Sequence, residues 1–158
     1  MKILLLLTDG PGVLGGIAKF NTDLLNALCA YPDVAEVSAL PRRIAEADAM
    51  LPDRLIYLTQ AAAGKAAYAY HLGRLLTHRN NFDAVICGHL HLLPLAALAA
   101  RRYRAPLTLI LHGVEAWRPR RIAGLWRSLQ SVNTFVSVSV LTKRRFLEWA
   151  PLRESVAW

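Results

Sequence analysis

The fold class is decided by residues 2–16, KILLLLTDGPGVLGG. Lys2–Thr8 is an almost unbroken apolar run, which is typical of a strand buried on both faces of a parallel sheet. A glycine-rich segment follows and ends at Gly15-Gly16. The apolar residues then recur at helical spacing: Ile17, Phe20, Leu24, Leu25 and Leu28. Strand, glycine loop and helix in this order predict the first unit of a parallel α/β sheet.

The same alternation continues to the end of the chain. Further strands are predicted at Val34–Leu40, Leu55–Leu58, Ala84–Cys87, Leu107–Leu111 and Thr134–Val138. Helices are predicted over Gln60–Arg79, Leu92–Arg102 and Ile122–Val132, and over a last segment that Ser139 caps and that runs through Trp149. We expect Pro41-Arg42-Arg43 to lie beyond the second strand. The sequence therefore predicts one Rossmann-like three-layer sandwich over residues 1–158, with a mainly parallel sheet.

Composition narrows the class of protein. Apolar residues make up 54% of the 158 and charged residues 19%, which excludes intrinsic disorder. No apolar run approaches the ~18–20 residues of a membrane span, and Ile3–Leu7 is too short for the core of a signal peptide. These features predict a cytoplasmic protein. The net charge of +8 favours an anionic partner: nucleic acid, anionic lipid or a phosphorylated small molecule.

The unusual residues fall in segments that follow strands. The carboxyl ends of parallel strands share one edge of the sheet, and ligands bind at that edge. It is predicted to carry Asp9–Gly16, Gly88–His91, His112–Trp117 and Ser139. These segments hold glycines, three histidines, one glutamate and one tryptophan. The segments predicted at the opposite edge hold none of these residue types; they are Tyr31–Asp33, Asn80–Asp83 and Arg104–Pro106. The asymmetry predicts a binding site at the carboxyl edge.

Residues 10–15, GPGVLG, match the dinucleotide fingerprint G-x-G-x-x-G in form. The helix is expected to begin near Gly16, which makes the loop longer than the fingerprint requires. The second strand ends without an acid for a ribose hydroxyl, and Arg42-Arg43 would suit only a 2′-phosphate. The glycines either make a turn or, at Gly15-Gly16, let backbone N–H groups approach a phosphate or sugar.

Three histidines are candidate site residues. His89 and His91 have no acidic residue beside them, so a metal site is not predicted; they either line a cleft or pack within the fold. His112 follows a buried strand and precedes Gly113, which leaves room for a ligand. The alternative for His112 is a structural role.

Basic residues cluster with aromatic residues in the second half of the chain. The clusters are Trp117–Arg121 with Trp126-Arg127, Arg101–Arg104 and Lys143–Arg145. They are interpreted either as a surface for anionic headgroups or a phosphorylated acceptor, or as a solvated face. No nucleic-acid-binding motif accompanies the charge, so no specific nucleic-acid partner is predicted.

Several segments, taken in order, resemble a known family. They are the opening strand, Gly15–Phe20, Cys87–Pro94, His112–Trp117 and Val136–Ser139 leading into Thr142-Lys143-Arg144. Over essentially the whole chain they resemble the N-terminal half of a family 4 glycosyltransferase with the two-domain GT-B fold. The resemblance implies retaining transfer of a sugar from a nucleotide-sugar donor to a sugar or lipid-linked acceptor of the cell envelope. It implies neither a cofactor nor a metal.

The resemblance also implies site roles. His112 would lie against the transferred sugar as the catalytic residue. The donor phosphate and sugar would be bound by Gly15, Gly16, Gly113 and Glu115. The acceptor cleft would include His89, His91 and Trp117, while Ser139 and Thr142 would mainly cap the last helix.

The family's nucleotide-binding half, with its Glu-x7-Glu pair, is expected to be absent from this chain, since no two glutamates here lie eight positions apart. The chain alone is therefore expected to be inactive, as a fragment or as half of a split enzyme completed by another subunit. Two other hypotheses stay open. One is a non-catalytic module docking on another subunit or, peripherally, on the inner membrane face; the other is an NADP-binding oxidoreductase fragment.

Overall fold

A computed structural model describes residues 1–45, 51–77 and 81–152. Within these ranges the strands are β1 Lys2–Asp9, β2 Glu36–Arg43, β3 Leu55–Tyr57, β4 Ala84–Cys87, β5 Leu107–Leu111 and β6 Thr134–Ser137. The α-helices are α1 Gly16–Ala30, α2 Lys65–Thr77, α3 Leu93–Tyr103, α4 Leu125–Leu129 and α5 Val140–Leu147. The strands form one sheet in the order β3-β2-β1-β4-β5-β6, and every neighbouring pair is parallel. The predicted Rossmann-like α/β class is confirmed.

The apolar run of β1 is explained by cores on both faces of the sheet. Leu4 and Leu6 belong to a core that includes residues of α2, α3, α4 and α5. Ile3, Leu5 and Leu7 belong to a second core that includes α1. All five side chains are at most 3% exposed, so β1 lies in the centre of the molecule and its carboxyl end is held rigidly.

Two strands have the bounds that the sequence predicts, and β2 continues beyond its predicted end. Ala84–Cys87 and Leu107–Leu111 are confirmed residue for residue. The expectation that Pro41-Arg42-Arg43 leaves the second strand was wrong, because β2 continues to Arg43, which pairs with Asp9. The pairing of β2 with β3 ends at Ala39, so Pro41 lies where β2 has become an edge and a proline is tolerated.

Two helices begin later than the sequence predicts, because a glycine with a positive φ angle precedes each of them. The helix predicted over Gln60–Arg79 starts only at Lys65, because Gly64 has φ +142° and a separate 3₁₀ turn, Thr59–Ala63, precedes it. The predicted end of that helix lies outside the described residues. The helix predicted over Ile122–Val132 is reduced to α4, which begins after Gly124 with φ +76°.

The amino edge of the sheet holds the start of the chain. The Met1 amino group donates to the Asp33 carbonyl oxygen, and the Met1 carbonyl oxygen accepts from Ala35 N at 2.8 Å. Lys2 N donates to Asp83 Oδ2 at 2.6 Å. The first residues are therefore fixed at the edge opposite the predicted site. Within the described ranges, none of the helices has the length and hydropathy that a membrane span needs.

Candidate functional site

The site lies at the topological switch point of the sheet. Strands β2 and β3 are added on one side of β1, and β4, β5 and β6 are added on the other side. β1 is flanked by β2 on one side and by β4 on the other, and such a switch point opens a crevice at the carboxyl edge. Helix α1 begins at Gly16, as predicted, and the N-cap Gly15 has φ +130°. A Cβ built on either glycine would meet no atom within 4 Å, so the N-terminus of α1 is open to a ligand.

His112 is the residue at which three segments meet. Its Nε2 lies 2.9 Å from the Gly88 carbonyl oxygen, and because a carbonyl can only accept, Nε2 carries a proton. The ring packs edge-on against Phe20, with the centroids 5.1 Å apart. Phe20 is one helical turn after Gly16, so His112 is held between α1, the end of β4 and the end of β5. Its Nδ1 is left as the acceptor of the neutral ring.

Gly88 makes this arrangement possible. A Cβ at position 88 would lie 2.8 Å from Leu7 Cδ2 and 2.9 Å from the Leu6 carbonyl oxygen. Only glycine therefore lets the end of β4 come this close to β1, where Gly88 N donates to Leu6 O at 2.8 Å. The close approach presents the Gly88 carbonyl to His112.

The loop after β5 is shaped by Glu115. Its Oε1 accepts from His112 N at 2.6 Å and from Gly113 N at 3.1 Å, and the residue is only 8% exposed. Arg120 donates to the carbonyl oxygens of Val114 and Glu115 at 2.9 Å and 3.1 Å. The structure thus gives both Glu115 and the Gly113 N–H partners inside the loop, while their proposed contact with a donor stays a prediction.

We expect Glu115→Ala to lower the free energy of unfolding by about 2 kcal/mol, because it leaves two backbone N–H groups without their charged acceptor. Glu115→Gln keeps an oxygen at the same place and is expected to cost less than half as much. Urea unfolding of both variants measures the difference. Equal losses for alanine and glutamine would contradict this role of the carboxylate oxygen.

His89 and His91 are brought to the same site. His89 Nδ1 accepts from His91 N at 3.2 Å, which caps a short 3₁₀ turn at Leu90–Leu92. The His89 ring lies 4.9 Å from that of His91 and 6.3 Å from that of His112. Burial lowers the pKa of His89 from 6.5 to about 4, with the neighbouring Glu115 acting in the opposite direction. His89 is therefore neutral at neutral pH.

Trp117 is held against helix α5. Its Nε1 donates to Thr142 Oγ1 at 3.2 Å. Ser139 caps α5, because its Oγ accepts from Thr142 N at 3.1 Å and lies 3.1 Å from Thr142 Oγ1. The cap predicted for Ser139 is confirmed, while an acceptor cleft formed by His89, His91 and Trp117 stays a prediction. Among the described residues, no group of three or more His, Cys, Asp or Glu is arranged to hold a metal ion.

Sequence reasoning missed two contributors to the site. Phe20 was assigned only to the apolar face of α1, although its spacing of four from Gly16 places it on the same side of the helix. Arg42 was weighed only for a 2′-phosphate, yet it lines a cavity together with Thr8 and His91. The position of Arg42 near the carboxyl end of the second strand was the signal that could have found it.

No family model matches the sequence, and no curated protein matches it. Solved structures do match: WaaB, a lipopolysaccharide outer core galactosyltransferase in its apo form, has a TM-score of 0.62 at 12% identity. HepE of Anabaena, in complex with UDP and glucose, has a TM-score of 0.57 at 18% identity, and its UDP-glucose complex 0.56 at 20%.

The fold is that of GT-B glycosyltransferase structures. The matches cover 100% of this chain but only 43% of HepE and 44% of WaaB. The chain therefore spans less than half the length of these proteins. At these identities the likeness shows the fold, and the activity has to be argued from the site.

Proposed function

We propose that the chain is the N-terminal, acceptor-side lobe of a glycosyltransferase that takes its sugar from a nucleotide-sugar donor. One observation carries the proposal: the open N-terminus of α1, the Gly88 carbonyl and His112 converge at the switch point of a sheet with the GT-B fold. The neighbour HepE, which binds UDP and UDP-glucose, supports a nucleotide-sugar as the donor.

The N-terminus of α1 is suited to the donor diphosphate. A leaving nucleoside diphosphate gains negative charge as the glycosidic bond to the sugar breaks. The first N–H groups of α1 and its positive dipole end at Gly15-Gly16 are fixed in place before that charge develops, so they stabilise it without reorganising. We therefore assign the donor phosphates to Gly15 and Gly16, and the loop at Gly113 and Glu115 to the sugar end of the donor.

His112 is placed to orient the transferred sugar. With Nε2 donating to Gly88 O, Nδ1 of the neutral ring can accept a hydrogen bond from a sugar hydroxyl. His89, His91 and Trp117 then border the acceptor. The proposed reaction is of the family 4 type: retention at the anomeric carbon, with the charge of the leaving group met by N–H groups and not by a metal.

A second lobe is required by this proposal. It would hold the nucleotide and close over the site, which excludes the water that would otherwise hydrolyse the donor. Large apolar side chains stand exposed at the carboxyl rim, where such a lobe would pack: Leu14 is 98% exposed, Val114 64% and Val140 74%. We expect this chain by itself to have little or no transferase activity.

The test is to complete the chain with its nucleotide-binding lobe, as one polypeptide or as a complementary subunit, and to follow UDP release from UDP-glucose and UDP-galactose. The completed enzyme is expected to consume at least one of these donors, and the 158-residue chain neither. The proposal fails if the completed protein binds no nucleotide-sugar.

Peripheral attachment to the inner membrane face is part of the proposal. Trp126 is 51% exposed beside the exposed Arg127, and Arg118 and Arg121 are exposed in the preceding loop. An aromatic ring among guanidinium groups suits an interface with anionic headgroups. Sedimentation with phosphatidylglycerol vesicles that is lost at high salt would support attachment, and indifference to anionic lipid would exclude it.

A further inference from the structure

A groove on the β2 side of the site extends beyond the two histidines that are proposed to border the acceptor. It consists of two adjoining cavities of about 270 Å³ and about 190 Å³. Arg42 and His91 line both cavities and so lie at their junction. The first cavity reaches Ile17 in the first turn of α1; the second reaches Lys65 on α2 and Leu95 on α3. The groove therefore leads from the proposed donor position to the gap between α2 and α3.

The groove carries a net positive charge. The Arg43 guanidinium is paired with the Asp9 carboxylate, with 2.5 Å between Nη2 and Oδ1, so these two charges cancel. In the part of the chain that the structure describes, no carboxylate lies within ion-pair distance of Arg42 or Lys65. His89, which also lines the first cavity, is neutral at neutral pH. Two cations thus face one groove without a described counter-ion.

A single ligand could neutralise both cations. An anion with several acceptor oxygens would accept from the Arg42 guanidinium and from the Lys65 ammonium group, which otherwise face the groove without a described counter-ion.

We propose that this groove binds a phosphate group carried by the sugar acceptor. The inference rests on the proposed function, because the groove begins beside the position assigned to the donor and extends away from it. A phosphate presents several acceptor oxygens that match the planar donor set of Arg42, while the compact charge of Lys65 attracts the same anion from the adjoining cavity. The acceptor class is then a phosphorylated sugar or a lipid-linked sugar phosphate, rather than a neutral glycan.

Methyl phosphate, titrated into the isotopically labelled chain and followed by NMR, tests the groove itself. The amide signals of Thr8, Arg42 and His91 are expected to shift, and Arg42→Gln and Lys65→Gln are each expected to weaken binding about tenfold. Arg101→Gln removes an exposed positive charge near the C-terminus of α3 and is the matched control. Absence of shifts in the groove, or equal weakening by Arg101→Gln, would overturn the proposal.

Two further ligands distinguish the source of the phosphate. Dodecyl phosphate, used below its micelle concentration, is expected to bind more tightly than glucose 1-phosphate if the acceptor is lipid-linked; the reverse order indicates a soluble sugar phosphate. Either order supports a phosphate site, provided that Arg42→Gln weakens the binding.

Titrations with UDP-glucose and NADPH separate this inference from the proposed function. If Arg42→Gln weakens binding of UDP-glucose as much as that of methyl phosphate, the groove belongs to the donor and the inference is wrong. Tight, Arg42-dependent binding of NADPH would overturn both proposals. If methyl phosphate does not bind while the completed enzyme still consumes UDP-glucose, only the phosphate groove is refuted.

Discussion

His112→Ala is expected to lower the rate at which the completed enzyme consumes its nucleotide-sugar donor by roughly 10²–10³-fold. The substitution removes a side chain that contacts both α1, through Phe20, and the end of β4, through the Gly88 carbonyl oxygen. The loss should appear in kcat more than in KM, because a group aligned with the transferred sugar acts mainly in the transition state. UDP release with water or acceptor measures it.

His71→Ala is the matched control for this variant. His71 lies on α2, where its ring packs against Tyr70, and it lines a separate cavity with Leu58 and Arg74. The control is expected to keep the wild-type kcat, and thermal unfolding of both variants separates a folding defect from a catalytic one. A His112→Ala enzyme that folds normally and keeps its full kcat would remove His112 from the site.

Acidification is expected to weaken the fold through His89. Because burial lowers the pKa of His89 from 6.5 to about 4, the unfolded chain binds the proton more tightly than the folded chain between these values. The contribution of His89 is thus fully present above pH 6.5 and is lost as the pH falls towards 4. The loss amounts to about 3 kcal/mol in the free energy of unfolding.

His89→Asn isolates this contribution. Asparagine supplies a side-chain oxygen that can accept from residue 91 N but has no proton to gain in this pH range. Urea unfolding at pH 7 and at pH 4 should show that the variant loses about 3 kcal/mol less than wild type between the two values. An unchanged pH dependence in His89→Asn would show that another group is responsible.

The strands were predicted well because their sequence signal is local. Ala84–Cys87 and Leu107–Leu111 are short apolar runs bounded by polar or glycine residues, and burial on both faces of a parallel sheet requires that pattern. The errors in the predicted helix and strand bounds fall where backbone dihedral angles or strand pairing, and not apolar spacing, set the end of an element. Gly64 and Gly124 adopt left-handed φ values that apolar spacing does not reveal. Pro41 is accommodated in β2 only because β3 ends early, which is a property of the neighbouring strand.

The sequence predicted which edge of the sheet carries the candidate site, but it did not predict the contacts between the site residues. A parallel sheet places the segments after β1, β4 and β5 on one rim, so the grouping of Gly16, His89 and His112 followed from topology alone. The bond between His112 Nε2 and Gly88 O did not, because it joins residues 24 positions apart through the close approach of β4 to β1. The pairing of Arg43 with Asp9 likewise depends on strand register, which also leaves Arg42 directed to the groove.

The hydrogen bonds that hold Met1 against residues 33–35 have a practical meaning for handling the protein. An affinity handle or fluorophore fused ahead of Met1 would project from the amino edge of the sheet, opposite the edge that carries His112. Immobilising the protein through that extension would leave the carboxyl rim accessible to the ligands proposed for it in a surface-binding experiment.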